Sequence, residues 1–547
     1  MKIDESLYKA FLEEMNALEN FRMAYASLHP GVPLDRDDPD VRRLIEAMAI
    51  FSARTRLAGT RNIVSTRRRI FQQFFRYLLA PLPSMSILQA IPTAQIAEPL
   101  FFPKGFEITV SPESGGAAIF RTLNDLRILP ISLSEFSTLL MPGKGYRLAL
   151  RFRASFARSE EIGKITFFIN HLNNYEASQL VLYNLKHHIK QASVVFDEKV
   201  YETTTGSPCN VTYGIESDDG DFSPPLQKER LFFHFPWQEL FLTVHVPQPT
   251  RNWTNFTICL DLDSDWPRNL VLNQDIFQVF AIPIINLRQG MAQPVICSGM
   301  QEQYAIRNTN LEYGFELHSV LGVYEVTKEG MVPVKPGILS GAAPSYETEE
   351  LTDTQGRKRN YLNLHFSQAF QEPKTVATDA LWIQPWFSET ILHRLMVSPF
   401  SRSTIGLKWE LPVSPVPHAE NLFQDNMDGF LHFLTLTNRA TLNRNDLLDI
   451  LQAIGIMRQA TFRKLCDLLV DVRIEKAMQQ GSDLSGLLRH RYILRFREYD
   501  LSLEPLMETF LAHVENILDA WISGAKIEVR KEIAGSEPGS SKGKETK

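Results

Sequence analysis

The sequence predicts a multidomain α+β protein: an N-terminal helical domain, β-rich middle domains of sandwich or barrel type, and a mainly helical C-terminal part. Three observations lead there. Apolar residues recur at steps of three and four over about the first 80 residues and again beyond about residue 420, the period of a helix with one buried face. Between these stretches, short runs of β-branched and aromatic residues alternate with Pro, Gly, Ser and Asn clusters, the texture of antiparallel strands joined by turns. The chain has 547 residues, 44% hydrophobic and 22% charged, enough for three or four ordinary globular domains at ~100–200 residues each.

The first predicted helix carries Leu7, Phe11, Met15, Leu18, Phe21, Tyr25 and Leu28 on one stripe and stops at His29-Pro30-Gly31. Asp37-Asp38-Pro39-Asp40 then supplies capping oxygens for a second helix with the apolar face Val41, Leu44, Ile45, Met48 and Phe51. A third follows with Ile70, Phe71, Phe74, Phe75, Leu78 and Leu79, ending at Pro81-Leu82-Pro83. Strand signals begin near residue 86, among them Gly105–Val110, Tyr146–Phe152, Lys164–Ile169 and Leu240–Val244. Thr204–Pro225 and Pro333–Arg359 read as long polar loops. Leu447, Leu448, Leu451 and Ile454 mark a helix stopped by Gly455. Leu503, Leu506, Met507, Phe510, Val514, Ile517, Leu518 and Trp521 form the strongest stripe, a face that must meet a core or a partner. The expected division is 1–85 helical, 86–325 and 326–420 β-rich, 421–533 mainly helical and 534–547 a disordered Gly, Ser, Lys and Glu tail.

The chemistry expected is structural rather than catalytic. No P-loop, dinucleotide fingerprint, HExxH or nucleophile-elbow pattern occurs. Cys209, Cys259, Cys297 and Cys466 are too dispersed for a thiolate metal site or a disulfide framework, and they fit a reducing compartment. The acidic N-terminus is unlike a secretory signal, and no run approaches the ~20 apolar residues of a membrane span, so a cytoplasmic protein without cofactor or metal is expected. Adjacent His187 and His188 do not share a face. Asp261, Asp263 and Asp265 would share one face of a strand, and a solvated strand end is the expected reading ahead of a cation site.

One electrostatic feature stands out. Ala47–Ala97 holds Arg54, Arg56, Arg61, Arg67, Arg68, Arg69 and Arg76 with no acid and no lysine, in a chain of net charge −6. A solvated face paired to acids elsewhere is the bland reading. A partner face including Arg61, Arg67, Arg68, Arg69 and, near the C-terminus, Trp521 is the functional one; an RNA- or anion-binding module through Arg54–Arg76 is an alternative. A carbohydrate-active β-sandwich enzyme is the remaining alternative, and it would need two carboxylates converging in a cleft.

Several stretches resemble a known family. Asp38-Pro39-Asp40-Val41-Arg42-Arg43-Leu44-Ile45-Glu46-Ala47 is similar to a helix start, and Tyr77–Ile87 (YLLAPLPSMSI) to a helix–strand junction, of the TssF (VasA, ImpG) family of type VI secretion baseplates. Phe101–Phe106 with Phe120-Arg121-Thr122 and Pro130, Ile282–Leu287 with Ala292–Val295, and Phe315–Val320 continue the resemblance in order over roughly residues 5–325; Leu434–Ile454 matches more loosely. Departures are the arginine-only stretch, where the family usually carries acids, and the lack of its LxCTNR strand near Leu381–Trp386. The resemblance implies a non-enzymatic wedge subunit of a contractile, phage-tail-like injection machine. Two copies would surround one TssG-like subunit, joined to TssK-like and TssE-like subunits around a VgrG-type hub at the cytoplasmic face of the inner membrane. Pro81, Pro83 and Ser84, with Pro283 and Asn286, are the expected structural junction, the two prolines fixing the angle between helical and β parts.

Overall fold

The computed structural model describes residues 5–534 apart from 30–38, 94, 114, 144, 216–223, 302, 338–343, 353–357, 367–371, 401–404, 422, 424–426, 438, 479–487 and 523–524. It is an α+β structure in which two helices come first, sheets fill the middle, and helices with a small sheet come last. The helices are α1 (Glu5–Leu28), α2 (Pro39–Leu79), α3 (Tyr175–His188), α4 (Pro225–His234), α5 (Met427–Leu436), α6 (Arg444–Ile454), α7 (Ala460–Leu468) and α8 (Glu504–Trp521).

The second and third helices expected from the sequence are one helix, α2. Only Gly59 interrupts its middle, and a glycine costs about 1 kcal/mol where a proline would cost about 3, so the ladder runs through. Its regularity fails late, at Phe75, whose φ of −134° and ψ of 42° are not helical. Small residues let α1 and α2 approach closely: Ala10, Ala49 and Ala53 are buried between them. Arg56 reaches back to Glu13 and Glu14 at 2.6 and 3.3 Å.

Two large sheets curl around one core. The six-stranded sheet runs Leu395–Pro399, Glu107–Pro112, Ala118–Thr122, Ala281–Ile285, Met85–Pro92, Leu407–Val416. The first eight-stranded sheet runs Phe277–Val279, Gly163–Ile169, Phe241–Val246, Ser207–Tyr213, Ile189–Phe196, Trp253–Leu262, Tyr146–Arg158, Ile131–Leu140. The chain passes from the second to the first at Phe280, held in the left-handed region at φ 56° with its ring buried. A second eight-stranded sheet, from Arg288–Met291 to Gln303–Ala305, has its own smaller core around Val320, Val323, Leu362 and Val376.

Strands occupy parts of both expected loops. Ser207–Tyr213 lies inside Thr204–Pro225, and Gly330–Pro336 and Ser345–Thr352 overlap Pro333–Arg359. Polar composition hid them, because hydrogen bonding to neighbours on both sides makes a strand of Ser207–Tyr213 without apolar alternation. The C-terminal region likewise adds a three-stranded sheet, Leu469–Met478, Leu488–Phe496 and Ala525–Ile533, to its helices. The α8 stripe is buried, and it shares one core with Phe71, Phe75 and Leu78 of α2 and Phe232 and Phe233 of α4. The end of α2 and the C-terminal helix α8 are thus packed together.

Candidate functional site: the helix–sheet junction

The last turn of a helix leaves carbonyls with no intrahelical donor, and a buried carbonyl without a partner costs free energy. At the end of α2 those carbonyls are met by side chains from distant segments. Arg230 Nη1 donates to Tyr77 O at 2.5 Å and Asn421 Nδ2 to Leu79 O at 3.0 Å. Beyond the helix, Pro81 and Pro83 have no N–H to satisfy, and their carbonyls are taken by two histidines. His318 Nε2 donates to Pro81 O at 3.1 Å and His234 Nε2 to Pro83 O at 2.9 Å. Between them Leu82 exchanges both backbone bonds with Ala419, at 2.7 and 2.9 Å. Ser84 donates its hydroxyl to Val416 O at 2.6 Å and accepts from Asn286 N at 2.8 Å.

These contacts fix the protonation of the histidines. Each must carry its proton on Nε2 to donate, which leaves Nδ1 of His318 to accept from the Ser319 hydroxyl at 3.0 Å. Burial pushes both imidazoles down to about 3, helped at His318 by the nearby positive charge of Arg230. The Arg230 guanidinium is itself pressed below its ordinary value by burial and by Arg458.

Asn286 anchors the sheet side. Its Nδ2 donates to Ile119 O at 2.8 Å and to Gln384 Oε1 at 3.0 Å, and its Oδ1 accepts from Gln384 N at 2.8 Å. Gln384 passes the connection on, from Nε2 to Tyr313 O at 2.8 Å, and its Oε1 accepts from Ile119 N at 2.7 Å. Both amides are buried. Pro283, opposite Ile87, points its carbonyl at Leu123 N, at 3.0 Å. The ladder on that side pairs only Ile284 and Ile285, so the missing proline N–H strands no acceptor there.

The structure therefore brings Pro81, Pro83, Ser84, Pro283 and Asn286 into one region, with Ser84 and Asn286 in direct contact. Arg230, His234, His318, Gln384 and Asn421 complete it and were not singled out from the sequence. Arg230 and His234 share α4 while the other three come from separate segments; each binds an atom 71 to 342 positions away, and no local spacing flags it. Arg61, Arg67, Arg68 and Arg69 lie on α2, but their side chains are outside the described residues. Trp521, expected at a partner surface, turns inward. Its ring stacks on Phe75 with centroids 5.5 Å apart and its Nε1 donates to Leu436 O at 3.3 Å, so the indole is used up within the chain.

The acidic alternation divides: Asp261 and Asp263 are paired, while Asp265, beyond the strand, is exposed as expected of a solvated end. The strand stops at Leu262; Asp261 takes both Nε and Nη2 of buried Arg147 at 2.6 and 2.9 Å, and Asp263 takes His188 at 2.7 Å. Among the described residues no group of three or more His, Cys, Asp or Glu side chains could hold a metal ion, and no helix is long and apolar enough to cross a membrane.

Comparison with known proteins follows the same lines. Solved structures share the fold, among them two from type VI secretion baseplates. One, a type VI secretion system TssK-TssF-TssG baseplate subcomplex, aligns with TM-score 0.69 at 15% identity, covering 90% of this chain and 96% of that one. The other, a baseplate complex from the type VI secretion system, aligns with TM-score 0.60 at 17% identity, covering 96% of each chain. No curated protein matches. Residues 3–384 match the family described as type VI secretion system, TssF, and with that much of its length matched the chain belongs to the TssF family, structural baseplate subunits rather than enzymes.

Proposed function

We propose that this chain is a wedge subunit of a type VI secretion baseplate on the cytoplasmic side of the inner membrane. Two copies embrace one TssG-like subunit, and TssK-like and TssE-like subunits join them around a VgrG-type hub. The observation that carries the reading is the family match over residues 3–384. The α1–α2 hairpin supports it. Leu44, Met48 and Phe51 stand at i, i+4 and i+7 on one face of α2 and are all exposed, Phe51 at 69%. On α1, Phe21 and Leu28 are exposed at 69% and 75%. A helical pair that leaves this much apolar surface in water is suited to burying it against a partner. The junction then acts as the rigid mount: ten or so hydrogen bonds from separate segments hold the end of α2 against the sheets, so a load on the hairpin passes to the body.

The test is co-expression with a TssG-like and a TssK-like subunit. The expected result is a higher soluble yield and a complex whose native mass gives two of these chains per TssG-like subunit. A stable, monodisperse monomer that ignores both would overturn the proposal.

A further inference from the structure

A sheet edge is a row of unpaired backbone donors and acceptors, and proteins protect such edges by keeping them short, by proline, or by charge. Among the described residues, the strands at the ends of the sheets follow that rule with one exception. Phe277–Val279, Arg288–Met291, Gln303–Ala305, Leu100–Phe102 and Leu126–Ile128 are three or four residues long. Leu395–Pro399 is short and ends in proline, and Leu407–Val416 carries Pro412 and Pro415. Leu469–Met478 and Ala525–Ile533 are studded with Asp, Glu, Lys and Arg. Ile131–Leu140 is different: ten residues, ISLSEFSTLL, with a single charge and no proline, at the end of the first eight-stranded sheet.

Its first half is partly covered. The register slips between Leu133 and Glu135, Gln274 Nε2 donates to Leu133 O, and Phe136 stacks on Phe277 of the opposite edge, centroids 5.5 Å apart. The sheet thus curls until its two ends touch through side chains at that point, leaving a half-barrel with a seam. From Glu135 to Leu140 the pairing with Tyr146–Arg151 is regular, and among the described residues no strand lies on the other side. Phe136, Thr138 and Leu140 stand opposite Leu150, Leu148 and Tyr146, on the face toward the core, yet Thr138 is exposed and Leu140 is 63% exposed. The core is open along this run. On the other face the neighbouring strand presents Arg151, 3.7 Å from Glu135, and exposed Arg153.

We propose that Glu135–Leu140 is a strand-acceptor edge. An extended segment of a neighbouring protein subunit pairs with it and closes the seam. That segment carries apolar side chains at alternate positions, to cover Phe136 and Leu140, and an acid among the outward ones, to meet Arg151 and Arg153. The inference rests on the baseplate reading, since it needs a stable protein neighbour.

The test is amide hydrogen exchange on the full chain, alone and assembled with TssG-like and TssK-like subunits, with a Thr138→Lys/Leu140→Lys variant beside it. In the isolated chain alternate amides of Glu135–Leu140, those turned away from Tyr146–Arg151, exchange rapidly; in the complex they slow by about tenfold or more. The double lysine variant keeps its thermal midpoint and loses that slowing, because inward-pointing lysines block edge pairing. Rapid exchange in an assembled complex overturns the proposal while leaving the baseplate role intact. Slow exchange in the isolated monomer, or only in a concentration-dependent dimer, overturns it in favour of the chain's own segments or a second copy. If no complex forms at all, the baseplate reading fails and the edge proposal falls with it.

Discussion

The α1–α2 hairpin and the junction to which it leads are built from opposite materials. Among the described side chains of α1 and of α2 before Phe71, those buried are small, Ala10, Ala49 and Ala53, while Phe21, Leu28, Leu44 and Phe51 face water. At the junction about seven turns later, Leu78, Leu82, Ser84 and Asn286 are all buried, and the polar groups among them are paired to distant segments of the chain. The same helix supplies both regions. Its outer part lacks a core of its own and its inner end belongs to the core it shares with α4 and α8, so the fold of the hairpin is marginal until something covers it and the fold of the junction is not.

Four measurements would break or sharpen that contrast. The largest loss is expected from Asn286→Leu. It leaves Gln384 N and Ile119 O buried without partners, at about 1–3 kcal/mol for each stranded group, so a drop of about 3 kcal/mol or more in denaturant stability is predicted. A small change there would mean the junction is far less rigid than its bonding indicates.

Next comes pH. His234 and His318 stay neutral in the fold down to about 3, whereas an unfolded histidine takes a proton near 6.5. Below about pH 6.5 the unfolded chain therefore gains protons the folded one refuses, and stability falls by about 1.4 kcal/mol per pH unit for each histidine. His513 has the opposite sign. Burial alone would lower it, but hydrogen bonds to Glu229 at 2.6 Å and Glu239 at 3.0 Å raise it to about 9. Its contribution is complete below about 6.5 and is lost as pH rises through 9. Urea midpoints from pH 5 to 9 should peak near neutrality, and His513→Gln should flatten only the alkaline limb. An unchanged alkaline limb would show that His513 is not charged in the fold.

A smaller effect is expected from Arg56→Ala. The pair with Glu13 and Glu14 is about half exposed, so a loss of about 0.2–1 kcal/mol, fading in high salt, is predicted for the thermal unfolding of the chain. The smallest change in stability belongs to Leu44→Ser/Phe51→Ser, within about 0.5 kcal/mol because both side chains face water. The same variant should lose the co-expressed partner. If it destabilises the isolated chain instead, the stripe is covered by this chain and the contrast with the junction disappears.

The sequence by itself determined the order of helical and β regions, the end of α1 at Leu28 and of α2 before Pro81-Leu82-Pro83, and the family through short local motifs. Each depends on residues close together in the chain, where periodicity and φ restriction act. It also suggested Pro81, Pro83 and Ser84, with Pro283 and Asn286, as a structural junction, through the fixed φ of the two prolines that end the helix. What only the tertiary structure decided was long-range. Trp521 looked like a free apolar group until Phe75, 446 positions earlier, stacked on it. Ser207–Tyr213 looked like a loop until two neighbouring strands supplied its hydrogen bonds. His234 and His318 had no signature because a histidine that donates to a proline carbonyl needs only to be near it, and nearness across 151 or 237 positions is not written in any local pattern. Local sterics and hydrophobic period are properties of a segment; burial and the pairing of polar groups are properties of the whole fold.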